Sequence, residues 1–193
     1  MSKLIIGVSG DKGSFSEEAA EYYCYKNAIS EHELQYLISV ENVLTALDNG
    51  EINLGIFPIE NSNGGIVIEA VYAMANHIFN IANMFEIDIR HNLIVNPGIK
   101  REEIKKIASH DQALKQCKMY LKRVWPQAEI IAWEDTAKAV KDLSEGKLTP
   151  DTATIAAKGA AKLYGMEIME EGIQDLKFNF TTFLAVIKAG NDK

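Results

Sequence analysis

IQDLKFNFTTFLAVI, residues 173–187, is the stretch around which the rest of the chain is organised. It begins polar and ends as an apolar run rich in β-forming residues, which predicts a loop that leads into a buried strand. Asn179, Thr181 and Thr182 then lie at the start of that strand. Neighbouring hydroxyls and an amide at such a junction are typical of a small-molecule site. Threonine is also an ordinary strand residue, so both interpretations stay open at this point.

The composition is that of a globular protein without a basic tract. The 193 residues carry a net charge of -7, so nucleic acid is not an expected partner. No apolar run is long enough to span a bilayer, and the apolar segment at residues 4–8 is too short for a secretory signal, so no membrane partner is expected. The sequence has two cysteines, Cys24 and Cys117, which argues against a disulfide framework and favours a cytoplasmic protein.

Outward from residues 173–187, strands and helices alternate along the chain. This order, with an extended crossover in the middle and a return strand at the end, predicts an α/β fold of two lobes. Lobe 1 is expected to comprise 1–80 plus 176–193, and lobe 2 to comprise 81–175. We expect strands at about 4–8, 34–39, 52–56, 104–108, 128–133 and 152–157, helices ending near 26, 49, 76, 124, 145 and 164, and an extended passage at 78–95.

Four polar segments, 9–16, 60–65, 109–116 and 175–182, lie at predicted strand ends. Ligands of open α/β sheets gather at the carboxyl ends of strands, and helix N-termini suit anions, carboxylates in particular. The turn Gly10-Asp11-Lys12-Gly13 has neither the Rossmann nor the P-loop spacing, so a nucleotide site is not predicted.

Some residues of these segments are also candidate helix N-caps. Capping alone would account for one of Asn61, Ser62 and Asn63, and Glu60-Asn61-Ser62-Asn63 is more polar than a cap requires. His110 is either a ligand-binding group or an exposed loop histidine. The four histidines are scattered, without paired cysteines, and no metal site is predicted. The candidate caps are Ser14 or Ser16, one of Asn61, Ser62 and Asn63, Ser109 or Asp111, and Asp135 with Thr136.

Taken together, five motifs resemble the prephenate dehydratase family, in order and over essentially the whole chain. The resemblance implies two α/β lobes like those of type II periplasmic binding proteins, with the active site in the cleft between them. The motifs are Gly10, Gly13 and Phe15-Ser16-Glu17; Pro58-Ile59-Glu60-Asn61-Ser62; Ser109-His110-x-Gln112-Ala113-Leu114 with Gln116-Cys117; Asp135-Thr136-Ala137; and Asn179-x-Thr181-x-Phe183.

The resemblance implies a lyase that converts prephenate to phenylpyruvate with loss of water and carbon dioxide, in phenylalanine biosynthesis. No metal or organic cofactor is implied. Thr181 stands at the family's essential threonine, whose hydroxyl would hydrogen-bond or protonate the departing oxygen. The partner is then a small dicarboxylate, and a homodimer is expected by analogy alone. The resemblance implies substrate contacts for Asn61, Ser62, Ser109, His110, Gln116, Asn179, Thr182 and Phe183.

The chain departs from the family pattern in two respects. The family's Thr-Arg-Phe reads Thr181-Thr182-Phe183 here, so the arginine best suited to clamp a carboxylate is missing. We hypothesise that Lys12 or Lys177 supplies part of the missing charge. The chain ends at Lys193 without the ACT domain of regulated members, so no phenylalanine feedback is expected through it. The alternative interpretation is a non-catalytic or re-purposed relative that binds a small carboxylate in the interlobe cleft.

Overall fold

Two α/β units make up the structure, a computed structural model that describes residues 3–190. Unit 1 consists of 3–88 together with 180–190, and unit 2 of 89–179. The two α/β lobes predicted from the sequence are therefore confirmed. None of the helices within the described residues is both long and apolar enough to cross a membrane.

The elements alternate along the chain as the sequence pattern predicts. A short 3-10 helix, Arg101–Glu103, precedes β7. The strands are β1 (Leu4–Val8), β2 (His32–Tyr36), β3 (Leu54–Asn61), β4 (Gly65–Ile66), β5 (Phe79–Asp88), β6 (Asn92–Val95), β7 (Lys106–Ser109), β8 (Glu129–Ala132), β9 (Thr152–Ala156), β10 (Glu167–Glu170) and β11 (Phe180–Lys188). The helices are α1 (Phe15–Lys26), α2 (Val40–Asn49), α3 (Ile68–Asn76), α4 (Asp111–Gln116), α5 (Lys118–Val124), α6 (Thr136–Ser144) and α7 (Lys158–Tyr164).

The sheet of unit 1 is built around β11. Its strand order is β2-β1-β3-β11-β5, with β4 paired to β3. β1, β2 and β3 are parallel, whereas β11 runs antiparallel to both of its neighbours. The return strand is thus inserted in the sheet rather than added at its edge. Its apolar residues explain this position, since Phe183 to Val186 are all buried.

The chain passes between the units at 88/89 and 179/180, whereas the sequence predicted 80/81 and 175/176. The reason is the length of β5, which pairs with β11 from Phe79, opposite Lys188, to Asp88, opposite Phe180. The extended passage predicted for 78–95 therefore consists of two strands, β5 and β6, that belong to different units.

The sheet of unit 2 has the order β10-β6-β9-β7-β8. β7 is parallel to β8 and β9, while β6 is antiparallel to β9 and β10. One face packs against α4 and α5 through Leu114, Cys117 and Leu121, and α6 and α7 contribute Val140 and Ala160 to a second cluster. The carboxyl ends of β7 and β9 and the start of β6 lie at the same end of this sheet, because β6 is antiparallel.

Local chemistry explains several helix boundaries. Ser14 caps α1 by accepting a hydrogen bond from the Glu17 amide, and Asp135 caps α6 through the Lys138 amide, both as predicted. Gly50 ends α2 in the left-handed region, with φ 74°, which glycine adopts without strain. The helix expected to reach residue 124 is interrupted at Cys117, which separates α4 from α5.

Two predicted caps are wrong. α3 begins after Val67, which makes no side-chain cap, because Asn61 belongs to β3 and the chain turns back through β4 before the helix starts. α4 is capped by His110, whose Nδ1 accepts from the Gln112 amide at 3.3 Å, rather than by Ser109 or Asp111. Ser109 is the last residue of β7, and Asp111 is already helical.

Candidate active site

In unit 1, several polar groups lie at one end of the sheet. β1 and β3 are parallel and end there, and the antiparallel β11 begins there. The loop after Val8, the end of β3 at Asn61 and the start of β11 at Thr181 therefore lie toward the carboxyl ends of the parallel strands, and β3 extends five residues beyond Ile56, the partner of Val8. This is the end of an open α/β sheet at which ligands bind.

Asn61 and Thr181 face each other across β3 and β11. Asn61 Nδ2 donates to Thr181 Oγ1 at 2.8 Å and to the Phe180 carbonyl at 3.2 Å. The Asn61 Oδ1 accepts from the Asn63 and Gly64 amides at 3.0 and 2.7 Å, which holds the amide group in one orientation. Since Thr181 Oγ1 accepts from Asn61, its own proton remains available for donation to another acceptor.

Ser62 and Phe180 continue this pairing by one step. The Ser62 amide donates to the Phe180 carbonyl at 2.8 Å, and the Phe180 amide donates to Ser62 Oγ at 3.0 Å. The Ser62 hydroxyl thus accepts a backbone hydrogen bond and keeps its proton for a ligand or water. Ser62 is exposed.

Thr182 points to the opposite face of the sheet from Thr181, because adjacent strand residues alternate. It lies opposite Glu60 on β3 and Glu86 on β5, and its Oγ1 donates to Glu86 Oε1 at 3.3 Å. The position at which the family carries arginine is therefore occupied here by a hydroxyl between two carboxylates. Phe183 is 1% exposed and stacks on Phe85 with ring centroids 6.0 Å apart, so it packs in the core of the sheet.

The loop after β1 adds a buried hydroxyl to the same end of the sheet. The Ser9 amide donates to the Ile56 carbonyl at 3.3 Å, and the Ser9 carbonyl accepts from Ser16 Oγ at 3.0 Å. Ser9 Oγ is buried and has no hydrogen-bond partner among residues 3–190. A buried hydroxyl without a partner is costly, so Ser9 is a candidate ligand contact that sequence reasoning did not single out.

Unit 2 carries Ser109 and His110 at the end of β7. Ser109 is fully buried, and its Oγ donates to the Ile155 carbonyl at 2.6 Å, which joins the ends of β7 and β9. His110 is exposed and caps α4 through Nδ1. The Ser109 hydroxyl proton is therefore used in a hydrogen bond that stabilises the sheet. The second ring nitrogen of His110, Nε2, takes no part in the cap and is available to solvent or a ligand.

Gln116 lies at the centre of a buried cluster of amides and imidazole. Its Oε1 accepts from His91 Nε2 at 2.7 Å and from Asn179 Nδ2 at 2.9 Å. An amide oxygen cannot donate, so His91 carries its proton on Nε2. His91 and Asn179 are 4% and 0% exposed, and burial lowers the pKa of His91 below the usual histidine range. Sequence reasoning named Gln116 and Asn179 but not His91.

The loop before β11 is tied to α4 and α5 at several points. The Asp175 amide donates to the Gln116 carbonyl at 2.8 Å, and the Asp175 carboxylate accepts from the Met119 and Tyr120 amides at 2.7 and 2.8 Å. Asp175 thereby caps α5 from a distant part of the sequence. In the sequence, the position of Asp175 in a polar loop is the signal for a functional role, but no local spacing links Asp175 to α5.

A groove of about 400 Å³ lies elsewhere on unit 2. It is lined by apolar side chains of α4, α5 and β8 with two lysines, and by none of the predicted site residues: the lining comprises Leu114, Lys118, Leu121, Lys122, Trp125, Pro126, Ala128 and Ile130. Within residues 3–190 no group of three or more His, Cys, Asp and Glu side chains is arranged to hold a metal ion.

Comparison with protein families adds the deciding observation. A family model described as prephenate dehydratase matches residues 6–191. The chain belongs to the prephenate dehydratase family. The resemblance carried by the five sequence motifs is therefore confirmed.

Curated relatives agree with the family model. The chain is 34% identical to the prephenate dehydratase of Methanocaldococcus jannaschii, over 97% of this chain and 66% of the relative. It is 32% identical to arogenate dehydratase 2 of Petunia hybrida, over 100% of this chain and 48% of the relative. The chain thus spans about half the length of many curated relatives that it matches.

A solved structure of the family has the same fold. The prephenate dehydratase of Arthrobacter aurescens, determined in complex with L-Phe, superposes with a TM-score of 0.87 at 25% identity, over 97% of this chain and 61% of that one. The α/β fold class predicted from the sequence is confirmed by this likeness.

Proposed function

We propose that this chain is a prephenate dehydratase, which converts prephenate to phenylpyruvate, carbon dioxide and water. Family membership supports this proposal, and the observation that carries it is the hydrogen bond of 2.8 Å from Asn61 Nδ2 to Thr181 Oγ1. It leaves the threonine proton available to a departing oxygen. The proposal covers only the reaction assigned to the residues of this chain, because the chain spans about half the length of many curated relatives.

The reaction demands little of the protein in covalent chemistry. The bond between the ring and its carboxylate breaks, and the electron pair enters the ring as carbon dioxide leaves. The ring becomes aromatic as the bond to the hydroxyl group breaks, and the departing oxygen takes up one proton to leave as water. One prephenate dianion and one proton thus give the phenylpyruvate anion, carbon dioxide and water.

Thr181 acts on the departing oxygen in this proposal. Its hydroxyl donates a hydrogen bond that stabilises the negative charge that develops as the carbon–oxygen bond breaks. A threonine hydroxyl is a weak acid, so the proton is replaced from solvent through a hydrogen-bonded relay. Thr181 is 7% exposed, which strengthens this hydrogen bond because little water competes for it.

Binding of the substrate is proposed for the remaining polar groups. Ser62 offers its hydroxyl proton, and His110 its free ring nitrogen. Three residues of unit 2 are largely engaged in hydrogen bonds within that unit, and we propose that they position neighbouring groups: Gln116, Asn179 and Ser109. In unit 1, we propose that Phe183 and Thr182 affect the substrate indirectly, through their places in the sheet. Lys12 or Lys177 is proposed to supply positive charge for the carboxylates, since both are exposed and lie in motif loops.

Turnover of prephenate by Thr181→Ala, Thr181→Ser and the parent chain tests the proposal. Phenylpyruvate formation is followed, with spontaneous breakdown subtracted. Loss of the hydroxyl should lower kcat by about 10²- to 10⁴-fold, and serine should restore part of it. Thr45→Ala, at an exposed threonine of α2, serves as the matched control. Full activity in Thr181→Ala would exclude the proposed role.

The lysine hypothesis has its own test. If Lys12 or Lys177 binds a substrate carboxylate, Lys12→Ala or Lys177→Ala should raise the Kd for prephenate by about 10- to 100-fold, the effect of losing a charge-assisted hydrogen bond. Unchanged binding in both variants would refute it. The exposed Lys122→Ala is a suitable control, since Lys122 lies on α5 outside the motif loops.

Arogenate is a second candidate substrate, since curated relatives 32% identical to this chain are named arogenate dehydratases. Arogenate carries an ammonium group where prephenate carries a keto group. Comparing kcat/KM of the parent chain for the two substrates decides between them.

The alternative of a non-catalytic relative that binds a small carboxylate is not favoured by the family membership. A cytoplasmic location is proposed as well, and it is supported by Cys24 and Cys117, which are buried and unpaired. Cell fractionation with an antibody to the chain tests it.

A further inference from the structure

The groove of unit 2 has a lining whose chemistry the proposed reaction does not use. It encloses about 400 Å³, a volume typical of small-molecule sites, and it involves α5 and β8, the outer strand of the sheet. Six apolar residues and two lysines line it, with no acidic residue among them. An apolar interior with two cations favours a ligand that combines an apolar body with negative charge.

One face of α5 provides both the apolar and the cationic part of the lining. Lys118, Leu121, Lys122 and Trp125 have the spacing i, i+3, i+4, i+7, which places them on the same side of a helix. Leu121 and Trp125 are 5% and 7% exposed, whereas both lysines are exposed. The helix thus buries two apolar side chains in the groove and carries two ammonium groups next to them.

Strand β8 provides the opposite wall. Ile130 lies on this strand and lines the groove, yet it is 45% exposed. Its neighbour Ile131 packs against Ala108 and Leu143 on the other face of the sheet. Since side chains alternate along a strand, Glu129 also points to that other face, and its carboxylate does not face the lysines.

Trp125 is held in place before any ligand binds. Its Nε1 donates to Tyr120 Oη at 3.0 Å, and the guanidinium of Arg101 lies 4.6 Å from the centroid of its ring. Arg101 is itself paired with Glu170 at 2.6 Å. The indole N–H is therefore already used, so the two ammonium groups are the polar side-chain groups that the lining offers to a ligand. A preformed wall also lowers the entropy cost of binding.

The charge of the two lysines is not neutralised by the fold. Within residues 3–190, neither the Lys118 nor the Lys122 side chain forms a hydrogen bond or an ion pair. Asp175 contacts the start of α5, but its carboxylate accepts from the Met119 and Tyr120 amides. α5 has three basic residues and no acidic one, although the chain has a net charge of -7. The groove is thus a locally positive site on an acidic protein.

We propose that the groove binds a monocarboxylate with an apolar body, with the carboxylate between the Lys118 and Lys122 ammonium groups and the body against Leu121, Trp125 and Ile130. Lysines four residues apart on a helix are close enough to share one carboxylate. A dicarboxylate such as prephenate suits the groove less well, because its second carboxylate would lie against apolar side chains. This inference is independent of the proposed function.

Calorimetric titration of the chain with octanoate, at about 0.15 M salt, tests the proposal. The parent should bind octanoate with a Kd below about 1 mM, and the uncharged octan-1-ol at least about 10-fold more weakly. Lys118→Gln and Lys122→Gln should each raise the Kd by about 3- to 10-fold. Arg123→Gln is the matched control, since Arg123 is an exposed cation of α5 outside the lining, and it should leave the Kd unchanged.

Tryptophan fluorescence locates the bound octanoate. The sequence has two tryptophans, so Trp133→Phe leaves the emission of Trp125 alone, and octanoate should change it with the calorimetric Kd. Ile130→Glu places a carboxylate in the groove and should weaken binding by more than about 10-fold. The lysine variants change exposed side chains, which keeps the test valid if Ile130→Glu fails to fold, as checked by circular dichroism.

Three results would each overturn the proposal. The first is no binding of octanoate at millimolar concentrations, and the second is equal affinity for octanoate and octan-1-ol. The third is binding that leaves the Trp125 emission unchanged or that responds to Arg123→Gln as strongly as to the two lysine substitutions.

Discussion

Unit 1 holds Thr181 by strand register, whereas unit 2 holds Gln116 by hydrogen bonds between side chains. Thr181 lies directly opposite Asn61, and this pairing is part of the ladder between β3 and β11. Gln116 instead accepts from His91 and Asn179, which come from other parts of the sequence. A position set by a backbone ladder survives many side-chain changes, while a side-chain network depends on every member.

Burial sharpens the contrast between the units. Asn61 is half-buried and Ser62 is exposed, so water can replace a lost partner in unit 1. In unit 2, His91 and Asn179 are almost completely buried, and a donor left without its acceptor stays without one. The free energy of unfolding should therefore respond more strongly to substitution in the network of unit 2.

Gln116→Leu should have the largest effect. It removes the acceptor of two buried donors, and each unsatisfied group costs about 1–3 kcal/mol, so we expect a loss of about 2–6 kcal/mol in the free energy of unfolding. Urea denaturation measures the loss. Amide hydrogen exchange should locate it in unit 2.

Gln112→Leu, on the same helix, is the control for Gln116→Leu. Gln112 is half-buried and its backbone amide bonds to His110, so the substitution should change the unfolding free energy much less. Equal losses in the two variants would mean that the hydrogen bonds around Gln116 add no more to the free energy of unfolding than the side chain of Gln112 does.

Asn61→Ala should have a smaller effect on stability and a larger one on turnover. Stability should fall by about 1 kcal/mol, since Asn61 is half-buried and the Asn63 and Gly64 amides that it frees belong to exposed residues. Turnover should fall because Thr181 Oγ1 loses the donor that orients its proton. Paired urea denaturation and prephenate assays check both, with Asn63→Ala as control. A loss of stability as large as that of Gln116→Leu would contradict the contrast between the units.

The histidines His77 and His91 should give opposite and still smaller pH effects. The hydrogen bond to Asp48 and the nearby Glu41 raise the pKa of His77, whereas burial lowers the pKa of His91. Stabilisation by His77 is present below about pH 6.5, the unfolded value, and is lost as pH rises through the raised pKa. The unfolded chain binds a proton at His91 more readily, so stability is lost as pH falls below about 6.5.

Urea midpoints measured across pH for the parent, His77→Gln and His91→Gln separate these two contributions. His77→Gln should reduce the stability loss on the alkaline side, and His91→Gln the loss on the acid side. Hydrogen exchange should assign the first to unit 1 and the second to unit 2. Identical pH profiles in all three chains would show that neither histidine contributes to the difference.

Prediction from the sequence worked where the determining interactions are local. Apolar periodicity predicted the alternation of strands and helices, and the caps at Ser14 and Asp135 followed from side chains within three residues of the amide they bind. It was wrong at α3 and α4. Asn61 follows a strand and precedes a helix, as a cap does, but its amide is held by Thr181, 120 residues away.

The sequence alone determined the fold class, the two α/β units and the membership of Asn61, Ser109, Gln116 and Thr181 in polar strand ends, because periodicity and motif spacing are properties of neighbouring residues. Only the tertiary structure decided which of these groups meet. Strand register paired Asn61 with Thr181 and turned Thr182 toward Glu60 and Glu86, and burial made His91 part of the network at Gln116. These contacts join residues far apart in the chain, and no local pattern specifies them.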